Sequence, residues 1–189
     1  MRIVGGRFRG RPLRTPSATA TRPTSDRLRE TLFDVLAHRY GDPVSGARVI
    51  DLFAGTGALG LEALSRGAAH ALFVEDGAEA RALIRDNVEA LGVAGLCRIF
   101  RRDATKLGDV AAAPFDLAFL DPPYGQALGE AALGALRDGD WLAPGALCVL
   151  EEAAASPIVP PAGFTLVERR ESGGTQLMFL RPPSWRPQP

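Results

Sequence analysis

The stretch "DLFAGTGALG", residues 51–60, decides the fold. The run before it, "ARVIDLFA" from Ala47 to Ala54, is apolar and has the length of a buried strand, while "GALGLEALSRG" behind it is helical and closes at Gly67. A strand that enters a helix through a glycine turn is one β-α unit, and the pattern repeats outward from there. Downstream, "HALFVED" is a second strand and "AEARALIRDNVEALG" a helix with Ala80, Leu83, Ile84, Val88 and Leu91 inward. "CRIFRRD" and "FDLAFLD" are strands, "ALGEAALGALRD" a helix and "GALCVLEE" a fifth strand. Such alternation predicts an α/β fold, a parallel sheet with helices on both faces. "FTLVERRE" and "TQLMFLR", joined by Ser172-Gly173-Gly174, carry a hairpin signal, so an antiparallel pair completes a mostly parallel sheet of seven strands.

Upstream, "RPTSDRLRETLFDVLAHRY" is a helix with Pro23 at its entry and Thr24, Ser25 and Asp26 as cap candidates. Leu28, Leu32, Val35 and Leu36 share one of its faces. Residues 1–22 precede it as an arm, with Ile3, Val4 and Phe8 between glycines 5, 6 and 10. A small β-hairpin turning near Arg9-Gly10 is expected there, followed by a loop. The organisation is then an arm over 1–22, one domain over 23–181, and a proline-rich, disordered tail over 182–189.

The composition excludes several classes. No apolar run approaches the roughly 20 residues of a membrane span, and "MRIVGGRFRG" lacks the apolar core of a secretion signal, so a cytoplasmic location is expected. Cys97 and Cys148 lie apart in apolar segments and are expected to be buried free thiols. His38 and His70 have no ligand-spaced neighbours, so no metal site is expected. Charge is balanced over the 189 residues but unevenly placed. Arg2, Arg7, Arg9, Arg11, Arg14 and Arg22 stand in the first 25 residues with no acid, which leaves −6 on the remainder of a neutral chain. The choice of arginine reflects a chain with Lys106 as its one lysine, but the missing acids do not follow from that bias. A basic arm on a mildly acidic body points to a polyanionic partner, nucleic acid.

Gly55, Gly57 and Gly60 satisfy G-x-G-x-x-G, with Glu75 about 20 residues on, which are marks of a dinucleotide site. Asp51 argues against a dinucleotide. Pyrophosphate would sit over the glycine loop at the helix N-terminus, and a carboxylate four residues before Gly55 opposes that anion. S-adenosylmethionine offers an ammonium, a sulfonium and no phosphate. Glu75 can accept from its ribose diol, and Asp103, followed by Ala104, from its adenine amino group. Three acids at three successive strand ends around one glycine loop fit that ligand.

"LDPPYG" ends the fourth strand at the carboxyl edge of the sheet, where ligands of open α/β folds bind. A planar amino group is a poor nucleophile because its lone pair is delocalised. Acceptors on both of its N–H groups localise the pair and stabilise the charge that develops as nitrogen attacks a methyl group. Asp121 and the Pro122 carbonyl can supply them. Pro122 and Pro123 fix the turn, and Tyr124 offers a ring on which a flipped base stacks.

With these motifs in place, the chain resembles the class I, Rossmann-like methyltransferases that act on exocyclic amino groups, and among them the RsmD-type enzymes, which methylate guanine N2 in 16S ribosomal RNA. The resemblance runs from "RIVGGRFRGRPL" through "RPTSDRLRETLF", "DLFAGTGALGLEALSRGA", "FVED" and "LDPPYG" to about Arg181. It implies that Asp51, Phe53, Ala54, Gly55, Thr56 and Gly57, with Glu75 and Asp76, hold S-adenosylmethionine. Asp103 and Ala104 would flank the adenine, S-adenosylhomocysteine would be the product, and Asp121, Pro122, Pro123 and Tyr124 would hold the guanine. The family's basic hairpin corresponds to residues 2–14. The residues alone do not choose guanine over adenine, so a DNA adenine-N6 methyltransferase is the alternative. The small chain leaves no room for a large DNA-recognition domain, which favours RNA folded into a small ribosomal subunit. A monomer is expected.

Overall fold

The computed structural model describes residues 1–16 and 25–183. Arg22, the loop around it and the tail from residue 184 lie outside the described residues. Helix α1 (Asp26–Arg39) is capped by Ser25, whose hydroxyl accepts from the Leu28 amide at 3.1 Å. Then β1 (Arg48–Leu52), α2 (Ala58–Ser65), β2 (His70–Val74), α3 (Ala78–Leu91), β3 (Cys97–Phe100), β4 (Phe115–Leu120), α4 (Leu128–Asp138) and β5 (Leu142–Ala153) alternate as the periodicity predicts. An antiparallel hairpin of β6 (Thr165–Ser172) and β7 (Thr175–Arg181) closes the chain.

The seven strands lie in the order β3-β2-β1-β4-β5-β7-β6. β1 to β5 pair in parallel, and β7 runs antiparallel between β5 and β6. The chain builds outward from β1 to one side and then crosses to β4 on the other, so the order reverses between β1 and β4. The crevice at the carboxyl ends of those two strands is where such sheets bind ligands.

Strand alternation sorts the core into two layers. Val49, Leu117, Phe119, Leu147, Val149, Leu177 and Phe179 face Leu32, Phe33, Leu36, Leu61, Leu64, Ile84 and Val88 of α1, α2 and α3. Their neighbours Ile50, Leu52, Ala118, Leu120, Cys148, Leu150, Met178 and Leu180 face Leu133 and Leu136 of α4 and Trp141. Cys148 is a buried free thiol as expected, whereas Cys97 is only half-buried.

The arm differs from its expected form. Its backbone does fold back on itself, with Ile3 N–H donating to Arg11 O (3.0 Å) and Leu13 N–H to Met1 O (3.0 Å), but only Arg2 and Pro12 form a bridge and no strand develops. The turn Gly6–Phe8 is a 3-10 helix. The reason is tertiary: the Val4 and Gly5 amides donate to buried Glu62 of α2 (2.9 and 2.7 Å), and the Phe8 amide donates to Ser65 (3.0 Å). Donors that a ladder would use are spent on α2, and Ile3 and Leu13 are buried in the main core.

Candidate active site

Strand register aligns the site. Leu52 pairs with Val74 and with Leu120, Val74 with Phe100, and Leu120 with Leu150. The next residues of these strands, Phe53, Glu75, Asp121, Arg101 and Glu151, therefore stand at one level along the sheet edge. The Asp121 amide donates to Leu52 O at 3.4 Å, which ties the β4 end to β1.

The loop after β1 is shaped by backbone demands. Phe53 is left-handed at φ +58°, a conformation that costs a non-glycine residue about 1–3 kcal/mol and persists where the surroundings enforce it. Gly55 follows at φ +57°, and a side chain there would meet nothing nearer than Phe53 O at 3.9 Å, so the loop is open on that side. Gly60 serves close packing: a Cβ would lie 2.4 Å from the Phe73 ring. Both predicted acids brace this loop. Glu75 accepts from the Gly55 amide through Oε2 (2.9 Å) and from the Gly77 amide through Oε1 (2.8 Å). Asp51, 1% exposed, accepts from the Gly60 amide at 2.9 Å. Burial pushes the Asp51 carboxyl well above the ordinary carboxylate range; the Gly60 amide pulls it down, and the Asp121 and Glu75 carboxylates push it further up.

Phe53, Val74, Glu75, Asp76, Arg102, Asp103 and Ala104 line one cleft beside this loop. The structure thus gathers four of the predicted acid-end residues with Phe53. Asp103 accepts from the Thr105 hydroxyl (2.7 Å) and amide (2.8 Å) through Oδ1, and those bonds hold its carboxyl below the usual range. Carboxyl oxygens as acceptors at Glu75 and Asp103 suit a sugar diol and an adenine amino group. Each carboxylate oxygen has two lone pairs, so the backbone bonds on Glu75 leave acceptor capacity for a ligand. The acceptor set fits S-adenosylmethionine. Arg102, absent from the sequence expectations, turns its guanidinium to Leu107 O (2.6 Å) and over the Phe100 ring (4.8 Å), so its charge is engaged at the cleft wall.

The turn after β4 is braced differently. Pro122 is buried and Pro123 exposed. Tyr124, expected as an exposed ring, is half-buried, and its hydroxyl donates to Glu151 at 2.5 Å. Burial and then that carboxylate push the phenol far up, so it stays protonated as the donor. Glu152 accepts from the Gly125 amide (3.0 Å), the Ala153 amide (2.8 Å) and Ser156 (3.3 Å). Both glutamates are buried, and sequence reasoning missed them. Their signal was available: two acids end a buried strand at the same edge where Asp51, Glu75 and Asp121 end theirs.

The arginines of the arm are not equivalent. Arg2 pairs with Asp26 (3.6 Å), Arg14 with Asp86 (2.7 Å), and Arg11 donates to Ala90 O near the end of α3 (2.7 Å). Arg7 lies over its neighbour Phe8 (4.6 Å to the ring centre); it and Arg9 are exposed, with no acidic partner among the described residues. No described helix is long and apolar enough to cross a membrane.

Comparison with known proteins identifies the family of the chain. "Ribosomal RNA small subunit methyltransferase D" of Escherichia coli K12 is 40% identical over 175 residues, covering 92% of this chain and 85% of that protein. The protein of the same name from Haemophilus influenzae is 32% identical, with 92% and 89% covered. A solved structure described as a methyltransferase, yhhF of Escherichia coli, superposes with a TM-score of 0.82 at 33% identity over 98% of this chain and 99% of the other. The profile of the family described as "Conserved hypothetical protein 95" matches residues 1–181, and the chain belongs to that family, the RsmD-type methyltransferases.

Proposed function

We propose that this enzyme transfers a methyl group from S-adenosylmethionine to the exocyclic N2 of a guanine in 16S ribosomal RNA, acting in the cytoplasm as a monomer on an assembled or partly assembled small subunit. The observation that carries this reading is the alignment of Asp121 with Phe53 and Glu75 at one level of the sheet edge, across the point where strand order reverses. It sets an acceptor turn beside a cofactor cleft. The names of the relatives support ribosomal RNA as the substrate class.

S-adenosylmethionine supplies an electrophilic methyl group on a sulfonium. Asp51, buried at the glycine loop, provides negative potential for its ammonium, while Phe53, Ala54, Gly55, Thr56 and Gly57 shape the loop against it. Glu75 and Asp76 receive the ribose, and Asp103 and Ala104 flank the adenine. Asp121 and the Pro122 carbonyl accept from the guanine amino group, and Pro122 and Pro123 hold that geometry. Tyr124, locked at its hydroxyl by Glu151, presents a fixed ring to the base, a contact worth roughly 1–3 kcal/mol. When bound, the cofactor would supply its methyl to the amino nitrogen and leave as S-adenosylhomocysteine, and the nitrogen would lose its extra proton to solvent. Arg7 and Arg9 contact phosphates, and Arg2, Arg11, Arg14 and Arg22 add to the positive charge of residues 1–22.

The test offers labelled S-adenosylmethionine with three acceptors separately: small subunits lacking the modification, bare 16S rRNA and duplex DNA. Label in the ribosomal samples supports the reading, and their ratio identifies the assembly state recognised. Label confined to DNA overturns it.

A further inference from the structure

Asn87 joins two parts of the molecule that lie far apart in sequence. It stands on α3, 1% exposed. Its Oδ1 accepts from the Arg14 amide at 2.7 Å. Its Nδ2 donates to Arg14 O at 3.2 Å and to Thr56 O at 3.0 Å. One side-chain amide therefore holds both polar groups of an arm residue and the carbonyl between Gly55 and Gly57. A second contact meets the same point, since the Thr56 hydroxyl lies 3.6 Å from Met1 Sδ. Both ends of the folded arm, Met1 and Arg14, thus converge on the glycine loop, while its middle is fixed to α2 through Glu62 and Ser65. The cost of burying a polar amide here is met only when the arm and the loop are both in place.

We infer that Asn87 is a positioning residue that couples the arm to the cofactor loop. Ordering one element lowers the entropy lost in ordering the other, so a ligand on the glycine loop steadies the arm. By thermodynamic reciprocity, RNA held by the arm tightens cofactor binding by the same factor. This second consequence rests on the proposed RNA-binding role; the first does not.

The experiment is amide hydrogen exchange over residues 1–16 of the full chain, with and without saturating S-adenosylhomocysteine and without RNA. In the wild type, exchange in the arm slows by about fivefold or more on binding. Asn87→Ala abolishes that response while β4 and β5 retain wild-type protection, which shows that the fold persists. Asn87→Asp keeps an acceptor for the Arg14 amide but removes the donor to both Arg14 O and Thr56 O, and it loses the response as well. Arg14→Ala drops only the Asp86 ion pair and keeps it. An arm indifferent to the ligand in the wild type, or a response that survives in Asn87→Ala, overturns the coupling. Calorimetry with 16S rRNA then compares S-adenosylhomocysteine affinity with and without RNA. A gain of about fivefold in the wild type and none in Asn87→Ala supports the coupling in full. Intact exchange coupling in a protein that binds no RNA would overturn the RNA reading alone.

Discussion

The loop after β1 and the turn after β4 solve the same problem with different residues. Each is a tight turn at a strand end, and each is held by acids, all buried but the half-buried Glu75, on backbone or hydroxyl donors. In the first, the bracing acids are Asp51 and Glu75, the same side chains assigned to the ligand. In the second, bracing falls on Glu151 and Glu152 of the adjacent strand, and Asp121 is assigned the amino group that reacts. Binding and architecture are therefore fused on the cofactor side and divided on the acceptor side. Substitutions should expose that difference.

The largest effect belongs to Asp121→Ala. Removal of one preorganised electrostatic partner costs about 10²–10³ in rate, and turnover should fall by at least that in single-turnover transfer. Calorimetry on the same protein should find S-adenosylhomocysteine affinity within about tenfold, about 1.4 kcal/mol. Loss of cofactor binding would mean that the two sides are not divided. Glu75→Ala and Glu152→Ala form the sharpest pair. Each removes a carboxylate acceptor from part-buried backbone amides and should lower stability by about 1–3 kcal/mol in thermal unfolding. Glu75→Ala should also weaken cofactor binding by at least tenfold, whereas Glu152→Ala should leave that affinity unchanged and slow transfer.

The pH dependence probes the fused side alone. Burial raises the Asp51 carboxyl in the folded protein, so the folded state binds this proton more tightly than the unfolded chain does. Stability from this group is thus present below its ordinary range and lost as pH rises through the raised value. An ammonium favours the ionised form, so cofactor affinity should move the opposite way. It should rise with pH by up to about tenfold per unit until the raised value is passed, and Asp51→Asn should flatten that rise. The smallest effect is on the arm. Arg7→Ala and Arg9→Ala should each reduce the slope of log affinity for rRNA against log salt by about 0.7–0.9, whereas Arg11→Ala should act mainly through the end of α3.

What was legible in the sequence follows from what local chemistry encodes. The strands, the helices and the glycine loop were readable because period and turn residues lie within one segment. Asp51, Glu75 and Asp121 were readable because each stands at a strand end beside a turn, whereas Asp103, read as the end of the third strand, lies three residues beyond Phe100, where β3 closes. Glu151 and Glu152 show the same position at a strand end, but their bracing role was not legible, since their partners Tyr124 and Gly125 lie 27 residues away. Asn87 was hidden for the same reason: its arm partner is 73 residues distant. The arm misled because Ile3, Val4 and Phe8 have strand propensity, yet Glu62 on α2 takes the amides that a second strand would have paired. Propensity yields to a tertiary partner there.

The acceptor atom is the central claim, and the mass of the product tests it most directly. Small subunits lacking the modification are incubated with S-adenosylmethionine carrying a heavy methyl group, and the rRNA is digested to nucleosides. The account predicts heavy N2-methylguanosine from the wild type and, in the same time, less from Asp121→Ala by at least about a hundredfold. Heavy N6-methyladenosine, or a methyl on a ribose or ring nitrogen, would contradict it.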